Sequence, residues 1–299
     1  MGNLGGHVIR EGKRAIFVGC ARSCAEHLPA VLRNIERFAG LFTASAFVFA
    51  ENDSSDSTRR ILEQWGTEKR LFHLIRMSGF DAVVPQRTVR LEMLRSGCVE
   101  FVRKSEELRA FDYLIVMDCD RVCAGEIEIG KFTAALEFLE QDRARAGVFA
   151  NNLGPYADLW ALRHPTLCPN DVWEEAMDYS LTHRVTDEIT FKNTFLKRVF
   201  SIDPSSPAVE VESAFNGFGI YKTSYVLESK NLYLGAKLKV VVADNEIGIM
   251  RIQTCEHVHF HQGIRNAGGT LFIMPDLTLF EVKDAHSRTP PSVWRHHIF

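Results

Sequence analysis

Asp112-Tyr-Leu-Ile-Val-Met-Asp-Cys-Asp120 is the stretch that decides the fold. Tyr113 to Met117 is an unbroken apolar run of strand length, the pattern of a strand covered on both faces. Asp118 and Asp120 follow at its carboxyl end. Two acidic side chains there repel each other and lose solvation, so they need a positive partner. Their spacing lets both reach one hard cation. Mg2+ or Mn2+ takes oxygen ligands and bridges carboxylates to substrate phosphates. An isolated Asp-x-Asp reads as two solvated turn residues; the buried strand before it favours the cation.

Working upstream, Ala15-Ile-Phe-Val-Gly19, Ala46-Phe-Val-Phe-Ala50 and Leu71 to Ile75 are further apolar runs. Leu28, Val31, Leu32, Ile35 and Phe38 recur at helical spacing, and Ser23 with Glu26 predicts a capping box for that helix. Thr58 to Trp65 reads as a second helix. Arg87 to Arg103 reads as a third, with Leu91, Leu94, Cys98, Phe101 and Val102 on one face. This alternation predicts an α/β fold with a Rossmann-like, mostly parallel central sheet and helices on both faces. Such sheets bind ligands at the carboxyl ends of their strands. The loops at 19–23, 51–56 and 118–121 are therefore expected to meet in one cleft.

Downstream the pattern loosens into an irregular half. Phe132, Leu136 and Leu139 suggest a helix, and Gly147-Val-Phe-Ala150 a strand. Residues 156–207 read as short helices and loops shaping a substrate pocket. Val240 to Ala243 and Cys255 to Phe260 read as later strands. No linker divides the chain, so a single domain is expected over 1–299. Its halves are about 12–125 and about 126–285, with a tail at 286–299 that wraps the surface.

At 299 residues the chain is long enough to bury a sizeable core. A net charge of −3 gives no reason to expect nucleic acid or an anionic membrane as partner. No apolar run is long enough to span a membrane. The amino terminus reads as neither a signal peptide nor a myristoylation site, because Gly6 stands where Ser or Thr is required. The seven cysteines are odd in number and fit no disulfide framework, so reduced thiols and a soluble, cytoplasmic protein are expected. Cys20/Cys24 and Cys119/Cys123 lack the second pair that a zinc finger needs.

Two further groups carry chemistry. In Cys255-Glu-His-Val-His-Phe-His261, a strand would place His257, His259 and His261 on one face. His259 or His261 could then complete a metal shell while His257 contacts phosphate or acceptor, and Arg265 lies just beyond to meet a diphosphate oxygen. Arg87, Arg90 and Arg95 on the third helix, with Arg22 in the first loop, suit an anionic ligand; each reads equally as a solvated surface charge. Dinucleotide, P-loop and nucleophile-elbow patterns are missing from the sequence.

Taken in order, several segments resemble GT-A glycosyltransferases related to the fungal capsule-associated α-mannosyltransferase family. They are Val18-Gly-Cys-Ala-Arg22, Leu28 to Ile35, Glu51-Asn-Asp-Ser-Ser-Asp-Ser-Thr58, Arg87 to Arg95 and Met117-Asp-Cys-Asp120. Further on come Tyr156-Ala-Asp-Leu-Trp-Ala-Leu-Arg163, Ser213-Ala-Phe-Asn-Gly-Phe-Gly-Ile-Tyr221 and Cys255 to His261. The resemblance implies a GT-A fold, a nucleotide-sugar donor, UDP- or GDP-linked, a glycan acceptor, and Mn2+ or Mg2+. It implies that Asp118 and Asp120 serve metal and diphosphate, and that Asn52 and Asp53 lie near base or ribose. It further implies that Asp158, Trp160, Arg163, Asn216 and Gly217 line the sugar and acceptor pocket. The chain departs from the fungal members in showing no membrane anchor, which fits a soluble viral or bacterial enzyme, in the host cytoplasm if viral.

Inversion at the sugar carbon would require a carboxylate base. Asp158 is the first candidate, with Glu210 and Glu212 behind it; retention requires none. A sugar-phosphate nucleotidyltransferase also uses an α/β sheet and Mg2+, but Gly19 to Ser23 is too poor in glycine for its phosphate loop. A non-catalytic carbohydrate-binding module of the same fold is the third reading.

Overall fold

The structure is a computed structural model, and it describes residues 12–243 and 246–283. The amino-terminal segment and the tail at 286–299 lie outside the described residues.

Among the described residues ten strands form in chain order: β1 (Arg14–Ala21), β2 (Ala44–Asn52), β3 (Phe72–Met77), β4 (Tyr113–Asp118), β5 (Arg145–Leu153), β6 (Val209–Val211), β7 (Phe218–Lys222), β8 (Ala236–Ala243), β9 (Glu246–Gln253) and β10 (Thr270–Glu281). Eight make one sheet in the order β3-β2-β1-β4-β7-β5-β10-β6. The first four run parallel. β7 enters antiparallel between β4 and β5, β10 lies parallel to β5, and β6 closes the edge antiparallel. The architecture is α/β with a mostly parallel central sheet, as the strand–helix alternation predicts.

Both faces of that sheet are covered, which explains the unbroken apolar strands. On one face Ile16, Val18, Val48, Leu114 and Val116 pack with Leu94, Cys98, Val99 and Val102 of the helix Arg87–Lys104. On the other, Phe17, Phe47, Phe49, Ile115 and Met117 pack with the helices Leu28–Ala39 and Ile129–Glu140. Phe38 and Phe132 join those two helices, their rings stacked at 4.1 Å.

Two local expectations are corrected. The helix Leu28–Ala39 has Pro29 in its first turn and no side-chain cap. Ser23 instead adopts φ 45° and ties the first loop to the second, its amide donating to Ser54 Oγ at 3.0 Å. The second correction is larger: residues 256–266 form a helix, not a strand. Glu256, His257, Phe260, His261, Gly263 and Ile264 are its buried residues, and His257, Phe260, His261 and Ile264 have the spacing of one helical stripe.

β8 and β9 form a separate antiparallel hairpin. Its inner side is held by Lys239, which pairs with Glu174 at 2.8 Å and Asp178 at 2.6 Å.

Candidate active site

The carboxyl ends of β1, β2 and β4 lie side by side, because these strands are neighbours in parallel register. Their following loops enclose a cleft of about 550 Å³. Arg22, Asn52, Asp53, Asp118 and Asp120 line it from those loops, and Arg87, Arg90 and Arg95 line it from the facing helix. Eight sequence-predicted residues from four separate segments thus meet in one place. Asp81, which the sequence reading did not single out, lines it as well, as does Cys20, which that reading weighed only for zinc.

Asp118 and Asp120 differ in surroundings. Asp118 Oδ1 accepts from Arg95 Nη2 at 2.9 Å, and 31% of the side chain stays exposed to the cleft. Burial pushes its pKa up to about 6, with Arg95 pulling down and Asp120 adding to the rise. Asp120 is exposed, and its Oδ1 accepts from Val122 N at 2.9 Å. Each carboxylate keeps one oxygen without a hydrogen-bond partner among the described residues. Free carboxylate oxygens on an arginine-lined cleft suit a hard divalent cation. Among the described residues, no three His, Cys, Asp or Glu side chains gather as a metal cage. A cation here would therefore rest on this pair together with ligand or water oxygens.

Arg95 is 4% exposed and is the hub of the site. Besides Asp118 it meets Glu256, with Nε 3.1 Å from Oε1. Its guanidinium lies over the Phe215 ring at 4.9 Å. Glu256 is another residue the sequence reading passed over, because in a strand it would point away from the histidines.

Asp53 has a structural task. Its carboxylate accepts from the amides of Gly79 at 2.6 Å, Phe80 at 2.8 Å and Asp81 at 2.9 Å. Those bonds, the Asp81 amide foremost, hold its pKa below the usual range. The loop so fixed brings Asp81 against Arg22. Arg90 donates to the carbonyls of Val84 and Pro85 at 2.8 and 2.7 Å, while burial and nearby Arg22 lower its pKa.

The loop before β7 packs against Asp118 without lining the cleft itself. Asn216 and Gly217 both have positive φ, 56° and 88°. Gly217 O accepts from Asp118 N at 2.8 Å. A Cβ on Gly217 would sit 2.4 Å from Val122 Cγ1 and 3.6 Å from Asp118 Oδ2, so only glycine fits. Asp158 holds this loop: Oδ2 accepts from Asn216 N at 3.0 Å and Oδ1 from Ala161 N at 3.2 Å. Burial raises the Asp158 pKa.

Other sequence-predicted residues fall elsewhere. His261 is enclosed, with Nδ1 2.8 Å from Ser213 Oγ and Nε2 2.8 Å from Tyr221 Oη. Both ring nitrogens are taken and burial lowers its pKa to about 3, so it is a neutral core histidine rather than a metal ligand. His259 turns to another side of the helix, with Nδ1 2.8 Å from Leu232 O, and does not line the cleft. His257 is 2% exposed and stacked on Phe215 at 3.9 Å, away from the cleft lining. Arg265 faces Glu212 at 3.7 Å, and neither lines the cleft. Glu210 lies on the edge strand β6. Arg163 donates to Asp171 at 2.6 Å and to the carbonyls of Trp160 and Leu162, and Trp160 meets Trp173 edge-on at 5.8 Å. Asp171 in turn caps the helix Val172–His183, so Arg163 and Trp160 bind the irregular half together.

No protein-family model matches the chain, and no curated protein sequence is significantly similar to it. Solved structures share its chain path at low similarity. Residues 1–349 of TarS from S. aureus align at TM-score 0.47 and 10% identity, covering 90% of this chain and 60% of that one. The mannosyltransferase PcManGT from Pyrobaculum calidifontis, solved with GDP-Man and Mn2+, aligns at 0.46 and 11%, covering 91% and 57%. Glucosyl-3-phosphoglycerate synthase from Mycobacterium tuberculosis, solved with UDP, aligns at 0.39 and 11%, covering 90% and 70%. The chain thus spans about 60% of the length of the first two. Among the described residues no helix is long and apolar enough to cross a membrane.

Proposed function

We propose that the chain is a glycosyltransferase of the GT-A type that takes a sugar from a UDP- or GDP-linked donor and passes it to a glycan hydroxyl. The observation that carries this reading is the cleft at the ends of β1, β2 and β4. It sets four arginines around two neighbouring carboxylates, each with a free oxygen. A diphosphate needs the arginines, and a cation bridging to it needs the carboxylates. The ordered motifs that resemble the fungal capsule-associated α-mannosyltransferases support the same reading.

In this proposal Asp118 and Asp120 hold Mn2+ or Mg2+. Bound there, the cation neutralises charge that builds on the departing nucleoside diphosphate. Arg22, Arg87 and Arg90 orient the phosphates, and Asn52 closes the nucleoside end. Asn216 and Gly217 border the sugar. Asp158 is the candidate proton acceptor for inversion, with burial raising its basicity and two backbone amides fixing its direction.

The test is incubation with Mn2+ and a panel of UDP- and GDP-sugars, with the released nucleotides resolved. Nucleoside diphosphate whose release Asp120→Ala cuts by more than about 100-fold supports the reading. Pyrophosphate release would replace it with a nucleotidyltransferase. Donor binding without turnover across acceptors would leave a carbohydrate-binding module.

A further inference from the structure

Arg95 poses a problem for any cation at Asp118. It is buried, it touches Asp118, and Phe215 and Tyr233 flank its guanidinium at 4.9 and 6.0 Å, so it cannot swing into solvent. An unshared guanidinium would cancel the charge of Asp118 and repel a divalent ion. Glu256 stands on the other side of that guanidinium, itself 5% exposed, at the first residue of the helix Glu256–Asn266.

We propose that Glu256 is a positioning residue that balances Arg95 and so leaves the Asp118–Asp120 pair electronegative enough to hold a divalent cation. The inference rests on the nucleotide–cation reading above. Among Asp118, Asp120, Glu256 and Arg95 alone, three carboxylates against one guanidinium leave two net negative charges; without Glu256 one remains. Geometry acts in the same direction. Arg95 offers Asp118 a single Nη2 contact at 2.9 Å, and Oδ2 stays open to the cleft, while Nε sits 3.1 Å from Glu256 Oε1 as an ion pair without a hydrogen bond. Freed of Glu256, the guanidinium could engage both oxygens in a fork. The cation site on β4 is thereby tuned by a helix 138 positions further along the chain.

The experiment reads binding, not turnover. Free Mn2+ is followed by electron paramagnetic resonance as it is titrated into the protein with UDP, then with GDP. Glu256→Gln is expected to weaken Mn2+ binding by about 10- to 100-fold, the range for losing an outer-shell partner. The double variant Arg95→Met/Glu256→Gln removes both opposed charges and is expected to recover most of that loss. A merely structural role would leave the double variant no better than the single one. Thermal melts of both variants confirm that they fold, and the double variant serves as the test if the single one does not. Binding by Glu256→Gln equal to that of the unaltered chain overturns the proposal, as does a double variant as weak as the single. An unaltered chain that binds no Mn2+ with either nucleotide, or whose binding ignores Asp120→Ala, overturns the parent reading and this one with it.

Discussion

Replacing His257 with Phe separates a structural histidine from a functional one. His257 is 2% exposed, stacked on Phe215 at 3.9 Å and edge-on to Tyr233 at 5.3 Å. Among the described residues neither ring nitrogen has a hydrogen-bond partner, and Glu256 is 3.6 Å away, beyond bonding reach. Burial first, and Arg95 after it, push the His257 pKa well below its ordinary value. The folded state therefore holds a neutral ring where the unfolded chain binds a proton below about pH 6.5. For a depressed pKa the stability is complete above the unfolded value and is lost as pH falls toward the folded one. The loss approaches about 1.4 kcal/mol per pH unit for each such group. His261, with its pKa near 3, behaves likewise, so the unaltered chain should lose up to about 2.7 kcal/mol per unit below pH 6.5. His257→Phe removes one of the two contributions. Urea unfolding at about pH 8 and about pH 5.5 should show the variant gaining about 1.4 kcal/mol on the parent at the lower pH. At the higher pH, relief of two unpaired ring nitrogens, about 1–3 kcal/mol, offsets the strain of a larger ring. An identical pH slope in the two proteins would refute the neutral-ring account. So would a loss above about 2 kcal/mol at pH 8, because it would mean that the ring makes a bond.

Gly217→Ala should destabilise the chain by about 2–4 kcal/mol, since its Cβ would meet Val122 Cγ1 at 2.4 Å in a left-handed backbone. Nucleoside diphosphate release should fall by at least about tenfold, because the displaced loop bears on Asp118. Arg59→Met should cost about 2 kcal/mol in urea unfolding. It removes the cation paired with the fully buried Glu51 at 2.5 Å and leaves that carboxylate only the Ser54 amide, and the partly exposed arginine discounts the usual cost of breaking a buried pair. Tyr221→Phe should cost about 1–2 kcal/mol by removing the 2.8 Å bond to His261 Nε2, with no change in Mn2+ affinity.

The half of the molecule legible in the sequence is the half where local pattern and tertiary role coincide. β1, β2 and β4 are buried on both faces, so their apolar runs are complete and their polar loops necessarily share one edge. Arg87, Arg90 and Arg95 were readable for the same reason: the helix carrying them must lie on that sheet. Beyond β4 the pattern and the role part. β7 inserts between β4 and β5, although in sequence it lies between β6 and the helix Thr223–Glu228, and nothing local specifies that placement. β10 went unread because Pro275 interrupts it and its register shifts between Ile273 and Thr278.

The helix at 256–266 shows how a site residue is lost in this way. Histidines at alternate positions imitate a strand, yet Phe260 and Ile264 complete a helical stripe with His257 and His261. Under the strand reading Glu256 points away and the histidines converge on a metal. Under the helix, His257 and His261 sink into the core as neutral rings, and Glu256 at the helix start reaches Arg95. One wrong period therefore exchanged the roles of an acid and its neighbours. What survives that exchange is Asp118, because its surroundings depend on β4 and on the helix packed against it rather than on how residues 256–266 are read.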